Sequence, residues 1–242
     1  AKKAEGAVTK LKSFATKALA TIGIGISLTQ MNKLVEEWYS VNKVLANVNT
    51  QLKDQSAVQN RITEAANACR ITYAEMCGYA TSLVKTGSRF FSTVEDATDF
   101  LELANKAFKV SGASEAQMNS LNNVLKNTFQ TGKLSAGGFN TIMLQSPDII
   151  QYLADSLGVS MQQVKALGLS GSITAKQLKN AFTQSAEGIE SAYGKLRLTV
   201  SDALRIIRNE FGTWLYQTDE GLNLTNDIAK FLIRAFRSLL GV

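Results

Sequence analysis

The chain has 242 residues, 45% of them hydrophobic and 19% charged, with 17 Gly, one Pro, two Cys and no His. That length holds one or two domains and a sizeable core, while the lack of His removes Ser-His-Asp and Cys-His relays, His-ligated metals and a histidine pH switch. Twenty-six Lys and Arg against twenty Asp and Glu give a formal charge of +6, spread too thinly for a typical nucleic-acid binder.

Proline is nearly missing, and Gly, Ser and Thr punctuate runs with a 3.6-residue apolar rhythm. The predicted fold is all-α, with long amphipathic helices flanking a compact array of short capped helices. Residues 1–20 carry five Lys against Glu5 alone, and Val8, Leu11, Phe14, Ala15, Ala18 and Ile22 trace one face, a basic amphipathic helix. The uncharged run Ala18–Leu28 is below the roughly twenty residues that span a bilayer and reads as a buried or helix-packing segment.

From Leu28 to about Val84 the apolar positions recur without a break, through Trp38, Val44, Leu45, Val58, Ile62, Ala66, Cys69, Tyr73 and Met76. One or two long helices are predicted there, with carboxamides such as Asn42, Asn47 and Gln59 on a solvated or interhelical face. Cys69 and Cys77 placed on one helix would be roughly 12 Å apart, too far for a disulfide. Two ordinary thiols suit a reducing cytoplasm during synthesis.

After Ser88, capping signals follow one another closely. Ser92-Thr-Val-Glu95 predicts a helix to about Val110 stopped by Gly112, and Ser114-Glu-Ala-Gln117 one that runs to Gly132. Ser146-Pro147-Asp148 reads as a hydroxyl N-cap ahead of proline, in a helix closed by Gly158. Ser160-Met-Gln-Gln163 and Thr174-Ala-Lys-Gln177 repeat the signature, so five short helices are predicted between 92 and 187. A longer face follows through Ile189, Tyr193, Leu196, Val200, Leu204, Ile207, Phe211 and Leu215, with Arg205 and Arg208 outward. A turn at Asp219-Glu-Gly221 precedes a last helix, Leu222 to Leu240. The expected domains are 1–88, 89–194 and 195–242.

Residues 91–194 hold seven basic and nine acidic side chains, whereas the flanks are basic. An acidic middle repels phosphate. Gly23-Ile-Gly25 and Thr131-Gly-Lys133-Leu134 lack the remaining positions of a phosphate loop. Glu95, Asp96 and Asp99 read as acids favouring a helix N-terminus, and Phe90, Phe91, Phe100, Phe108 and Phe129 as core rather than a base-stacking platform. No catalytic, cofactor or metal residue is expected.

What is distinctive is the ordered run of motifs: Val110-Ser-Gly-Ala-Ser114, Thr131-Gly-Lys-Leu-Ser135, Phe139-Asn140, Gln145-Ser-Pro147, Leu153-Ala-Asp-Ser-Leu-Gly-Val-Ser160, Ser172-Ile-Thr-Ala175 and Lys195-Leu-Arg-Leu-Thr-Val-Ser201 leading to Asn209-Glu-Phe211. From Phe91 to about Phe236 the chain resembles the N-terminal domain of phage tail tape measure proteins. The motif positions singled out are Gly112, Gly132, Lys133, Leu134, Phe139, Asn140, Pro147, Leu153, Gly158 and Val159. Two departures stand out: Gly137-Gly138 replace acidic helix formers, which should loosen that short helix, and the segment before Thr199 lacks a proline, which predicts a continuous helix into the last long one.

The resemblance implies a structural protein of the virion, lying in the tail lumen, made in the host cytoplasm, templating the tail tube and setting tail length. It implies copies assembled together, with tail tube proteins, a tail-tip or baseplate hub and tail assembly chaperones as partners, and no specific nucleic-acid sequence. It further implies ejection ahead of DNA and transient host membrane contact, for which Leu11, Phe14 and Ile22 would supply the membrane or partner face. Even wholly helical, 242 residues span only about 360 Å, so the segment reads as a packing, docking or assembly domain attached to the ruler. It begins with Ala1 and stops at Val242, which reads as a piece of a longer protein. The alternative is an all-α membrane-directed or translocated effector.

Overall fold

The structure is a computed structural model in which residues 28–48 and 54–222 are described, with side chains over 33–48 and 54–213. Among these residues it contains eleven helices and no named strand. In chain order they are α1 (Leu28–Val48), α2 (Gln55–Cys69), α3 (Tyr73–Thr86), α4 (Val94–Val110), α5 (Glu115–Thr131), α6 (Ala136–Gln145), α7 (Asp148–Leu157), α8 (Met161–Leu169), α9 (Ala175–Gln184), α10 (Ala186–Gly194) and α11 (Val200–Leu222). The all-α expectation holds. The basic helix with Leu11, Phe14 and Ile22, and the stretch from 223 onward, lie outside the described residues.

The chain divides into two compact units, Lys43–Asn209 and Ala1–Asn42 with Glu210–Val242. In the second, Leu34, Val35 and Trp38 of α1 are buried, and a Cβ on Gly212 of α11 would meet the Trp38 indole at 2.2 Å. Only a glycine allows that approach.

In Lys43–Asn209 the predicted long helix breaks. Cys69 closes α2, Arg70 takes a left-handed conformation (φ 56°), and Thr72 with Glu75 forms a capping box that starts α3. That Thr-x-x-Glu signal is masked in the sequence by an apolar rhythm running straight through it. The two cysteines therefore stand on different helices, free and buried, so the absence of a disulfide has another cause than the spacing along one helix. The predicted inward positions Val58, Ile62, Ala66, Cys69, Tyr73 and Met76 are each no more than 1% exposed.

The middle of the unit is held by phenylalanines. Phe91, Phe100 and Phe129 meet with ring centroids 4.7 to 5.4 Å apart, and Phe182 joins Phe100 at 5.6 Å and Phe108 at 6.2 Å. The angles are tilted or edge-to-face, the arrangement that ring quadrupoles favour. Beside them Asn105 and Asn122 form a buried reciprocal amide pair between α4 and α5, each also donating to a carbonyl one turn back on its own helix.

Several caps differ from expectation. Thr93, not Ser92, caps α4, accepting from the Asp96 N–H at 3.1 Å. Ser146 does not cap α7; it is buried and donates to Ser111 instead. α6 is the short helix that carries Gly137-Gly138; Ser135 caps it, and a Cβ on Gly138 would stand 3.0 Å from Val124, so this glycine serves close packing. The continuous helix expected through Thr199 is interrupted after α10, because Thr199 and Asp202 exchange hydrogen bonds and start α11 afresh. α11 then passes through Asp219-Glu-Gly221 without the predicted turn.

Candidate functional site

The motif series folds onto itself. Gly132 closes α5 at φ 83°, and the segment behind it pairs with the one before α9 through a Lys133–Thr174 bridge. Leu134 N donates to Ile173 O at 2.8 Å and Ala175 N to Gly132 O at 2.9 Å. Two motifs forty residues apart thus make one short two-stranded clasp, with Leu134 and Ile173 buried beneath it.

A second junction joins Val110-Ser-Gly-Ala-Ser114 to Gln145-Ser-Pro147. The Ser146 hydroxyl donates to Ser111 Oγ at 2.9 Å, and Ser111 donates onward to Asp148 at 2.7 Å. Phe139 enters the core against Gly168, where a Cβ would come within 2.2 Å of the ring. Leu153 is fully buried in α7, which packs on α9. Gly112 and Gly158 hold positive φ just beyond α4 and α7, where a left-handed residue lets the chain leave the helix. Of the motif positions, Leu134, Phe139 and Leu153 are interior, whereas Lys133, Asn140 and Pro147 are exposed and Val159 is half-buried.

Charged side chains between helices form a lattice. Arg61 of α2 binds Asp99 and Glu102 of α4 at 2.8 and 2.6 Å, and Lys106 bridges Glu102 and Glu190 of α10 at 2.8 and 2.7 Å. Lys109 reaches Asp202 at 2.9 Å, Arg70 lies 3.6 Å from the same carboxylate, and Arg205 binds Glu115. Arg205 is therefore turned inward, against the outward expectation. At the base of α4, Lys179 binds Asp96 and lies 4.3 Å over the Phe91 ring. The acids near the start of α4 thus serve as ion-pair partners of α2 and α9 as well as complementing a helix N-terminus.

These pairs shape ionisation. Burial pushes the Glu102 carboxyl up, but its bonds to Lys106 and Arg61 outweigh that and hold it below the ordinary range. Asp202 behaves alike, burial being overcome by Lys109 and Thr199. Burial raises the Cys69 thiol far above its usual range and the Cys77 thiol to about 12. A cleft of about 270 Å3 lies among Arg70, Glu75, Tyr79, Lys109, Glu115 and Arg205, whose charges are largely paired with one another or with Asp202. Among the described residues no group of three or more Cys, Asp or Glu is placed to hold a metal, and no helix is long and apolar enough to cross a membrane. The arrangement holds helices in register.

Of this lattice only the pairs within one helical turn, Glu102–Lys106 and Asp202–Arg205, are visible in the sequence. The other partners lie far apart in the chain, Lys109 and Asp202 by 93 residues and Arg70 from the same Asp202 by still more, and carry no local signal.

A family profile described as tape measure protein matches residues 29–220. The chain belongs to the tape measure protein family. Its role is accordingly that of a phage tail tape measure, which is structural and places it in the tail of the virion. The match begins well before Phe91, where the stretch of resemblance starts, takes in α2, α3 and nearly all of α1, and ends at 220, short of Phe236. No curated protein and no solved structure matches the chain.

Proposed function

We propose that this part of a tape measure protein is a docking and assembly module, with residues 89–194 at its centre, 1–88 preceding them and 195–242 leading toward a ruler region. The observation that carries the reading is the closure of family motifs upon one another, the Gly132–Ala175 clasp above all, within the family match. Motifs that pair to build a rigid small body, rather than repeating along an extended rod, suit a head-piece that is held by other proteins. In this reading the protein lies in the tail lumen, is assembled with copies of itself, contacts tail tube subunits, the tail-tip hub and, beforehand, assembly chaperones, and leaves ahead of the DNA. The exposed motif residues Lys133, Asn140 and Pro147 are then surface positions offered to those neighbours.

Cross-linking mass spectrometry on intact particles tests this. Lys133, Lys165 and Lys176 are exposed and should react, whereas Lys106, buried and held by two glutamates, should not. Links from the exposed lysines to tail tube or tip subunits support the module reading; a chain absent from particles defeats it.

A further inference from the structure

The first turns of α11 are inverted relative to an ordinary surface helix. The side turned into the Lys43–Asn209 unit is polar. Asp202 is 6% and Asn209 1% exposed, the latter donating to Ile71 O and Asn67 Oδ1 and accepting from Tyr73 N. The opposite side is apolar: Val200 is 79% exposed, Leu204 39%, and Leu198 just ahead of the helix 56%, with half-buried Ile207 continuing the stripe. Positions 200, 204 and 207 share one helical face. A soluble helix normally buries such a stripe and solvates its polar side; here the hydrogen bonds and ion pairs are spent inward and the stripe faces out.

We infer that this stripe docks an amphipathic helix of a partner protein whose apolar residues are flanked by Asp and Glu. The rim decides the chemistry. Lys195 and Arg197 are exposed beside the start of the stripe, and from 195 to 209 the only acid is the buried Asp202, Glu210 being the next along α11. A second copy offering the same face would set these cations against their own counterparts. The chain's own ends are unsuited as well: residues 1–20 hold five Lys and one Glu, and residues 223–242 hold Lys230, Arg234 and Arg237 against Asp227 alone. An acidic flank satisfies the rim while the stripe supplies buried area, the helix-in-groove mode of recognition. This rests on the docking-module reading.

The test uses the purified 242-residue chain and two labelled synthetic helices of about 18 residues, alike in their Leu stripe but flanked by Glu in one and Lys in the other. Fluorescence anisotropy should give the Glu-flanked helix an affinity at least about tenfold higher. Leu204→Asp should abolish that binding, and Lys195→Glu with Arg197→Glu should reverse the preference, circular dichroism being unchanged for these exposed positions. Equal affinity for both peptides, no binding of either, or a preference that survives Leu204→Asp would overturn the inference. A dimer that sedimentation shows to be broken by Leu204→Asp would also overturn it, since the occupant would then be a second copy. Particle cross-linking reads the module proposal separately, so peptide binding by a chain absent from tails would sink that proposal alone.

Discussion

The guanidinium of Arg70 lies over the ring of Tyr193, 4.8 Å from its centroid, and donates to the carbonyls of Leu196 and Arg197 at 3.0 Å each. Arg70 is also the residue that ends α2 in a left-handed conformation, φ 56°. One side chain thus connects the α2–α3 corner to the segment between α10 and α11. Arg70→Ala should destabilise the fold by about 2–4 kcal/mol, because Asp202 and the two carbonyls lose a donor. Arg70→Gly should cost about 1 kcal/mol less, since glycine takes the left-handed conformation without a Cβ clash. Urea unfolding of the two variants checks the order, and an equal loss in both would show that the backbone conformation contributes nothing.

Gly168 faces Phe139 so closely that a Cβ would fall 2.2 Å from the ring. Gly168→Ala should therefore cost about 1–3 kcal/mol from overpacking. Combined with Phe139→Leu, which removes the obstructing ring, the loss should be smaller than the sum of the single effects. A double-mutant cycle of denaturation midpoints measures this, and strict additivity would contradict the contact.

Acid should loosen the ion lattice first. Glu102 and Asp202 titrate below their ordinary values of 4.5 and 3.8 in the folded chain, so the unfolded chain takes up protons before the folded one does. Their contribution is complete above those values and is lost as the pH falls through the lower folded ones. Glu102→Gln should lower the melting temperature at neutral pH and flatten its fall below about pH 4.5. Melting curves recorded from neutral to acid pH for both proteins decide it.

Cys69 and Cys77 should be inert in the native chain. Both are fully buried, and burial raises both thiols, Cys77 to about 12, leaving almost no thiolate at mildly alkaline pH. A thiol reagent should modify neither until denaturant is added, whereupon both should react. Rapid modification of the folded protein would contradict their placement.

The division between what was legible and what was not follows the range of the forces involved. Helix starts at Ser114, Ser160 and Thr174 and stops at Gly132 and Gly158 are local events, in which one side chain or one left-handed residue satisfies groups a few positions away. The sequence alone therefore determined an all-α chain, most of its short helices, the inward faces of α2 to α5 and, through the order of its motifs, its family. Where two local signals competed, as at Thr72, where the apolar rhythm runs on, or at Ser146, whose hydroxyl turns away to Ser111, the nearer reading failed. Only the tertiary structure decided which charges pair across tens of residues, which glycine admits Phe139, and that the start of α11 turns its polar side inward. Those outcomes depend on the position of helices in space, and a stripe such as Val200, Leu204 and Ile207 looks the same in sequence whether the body or another protein covers it.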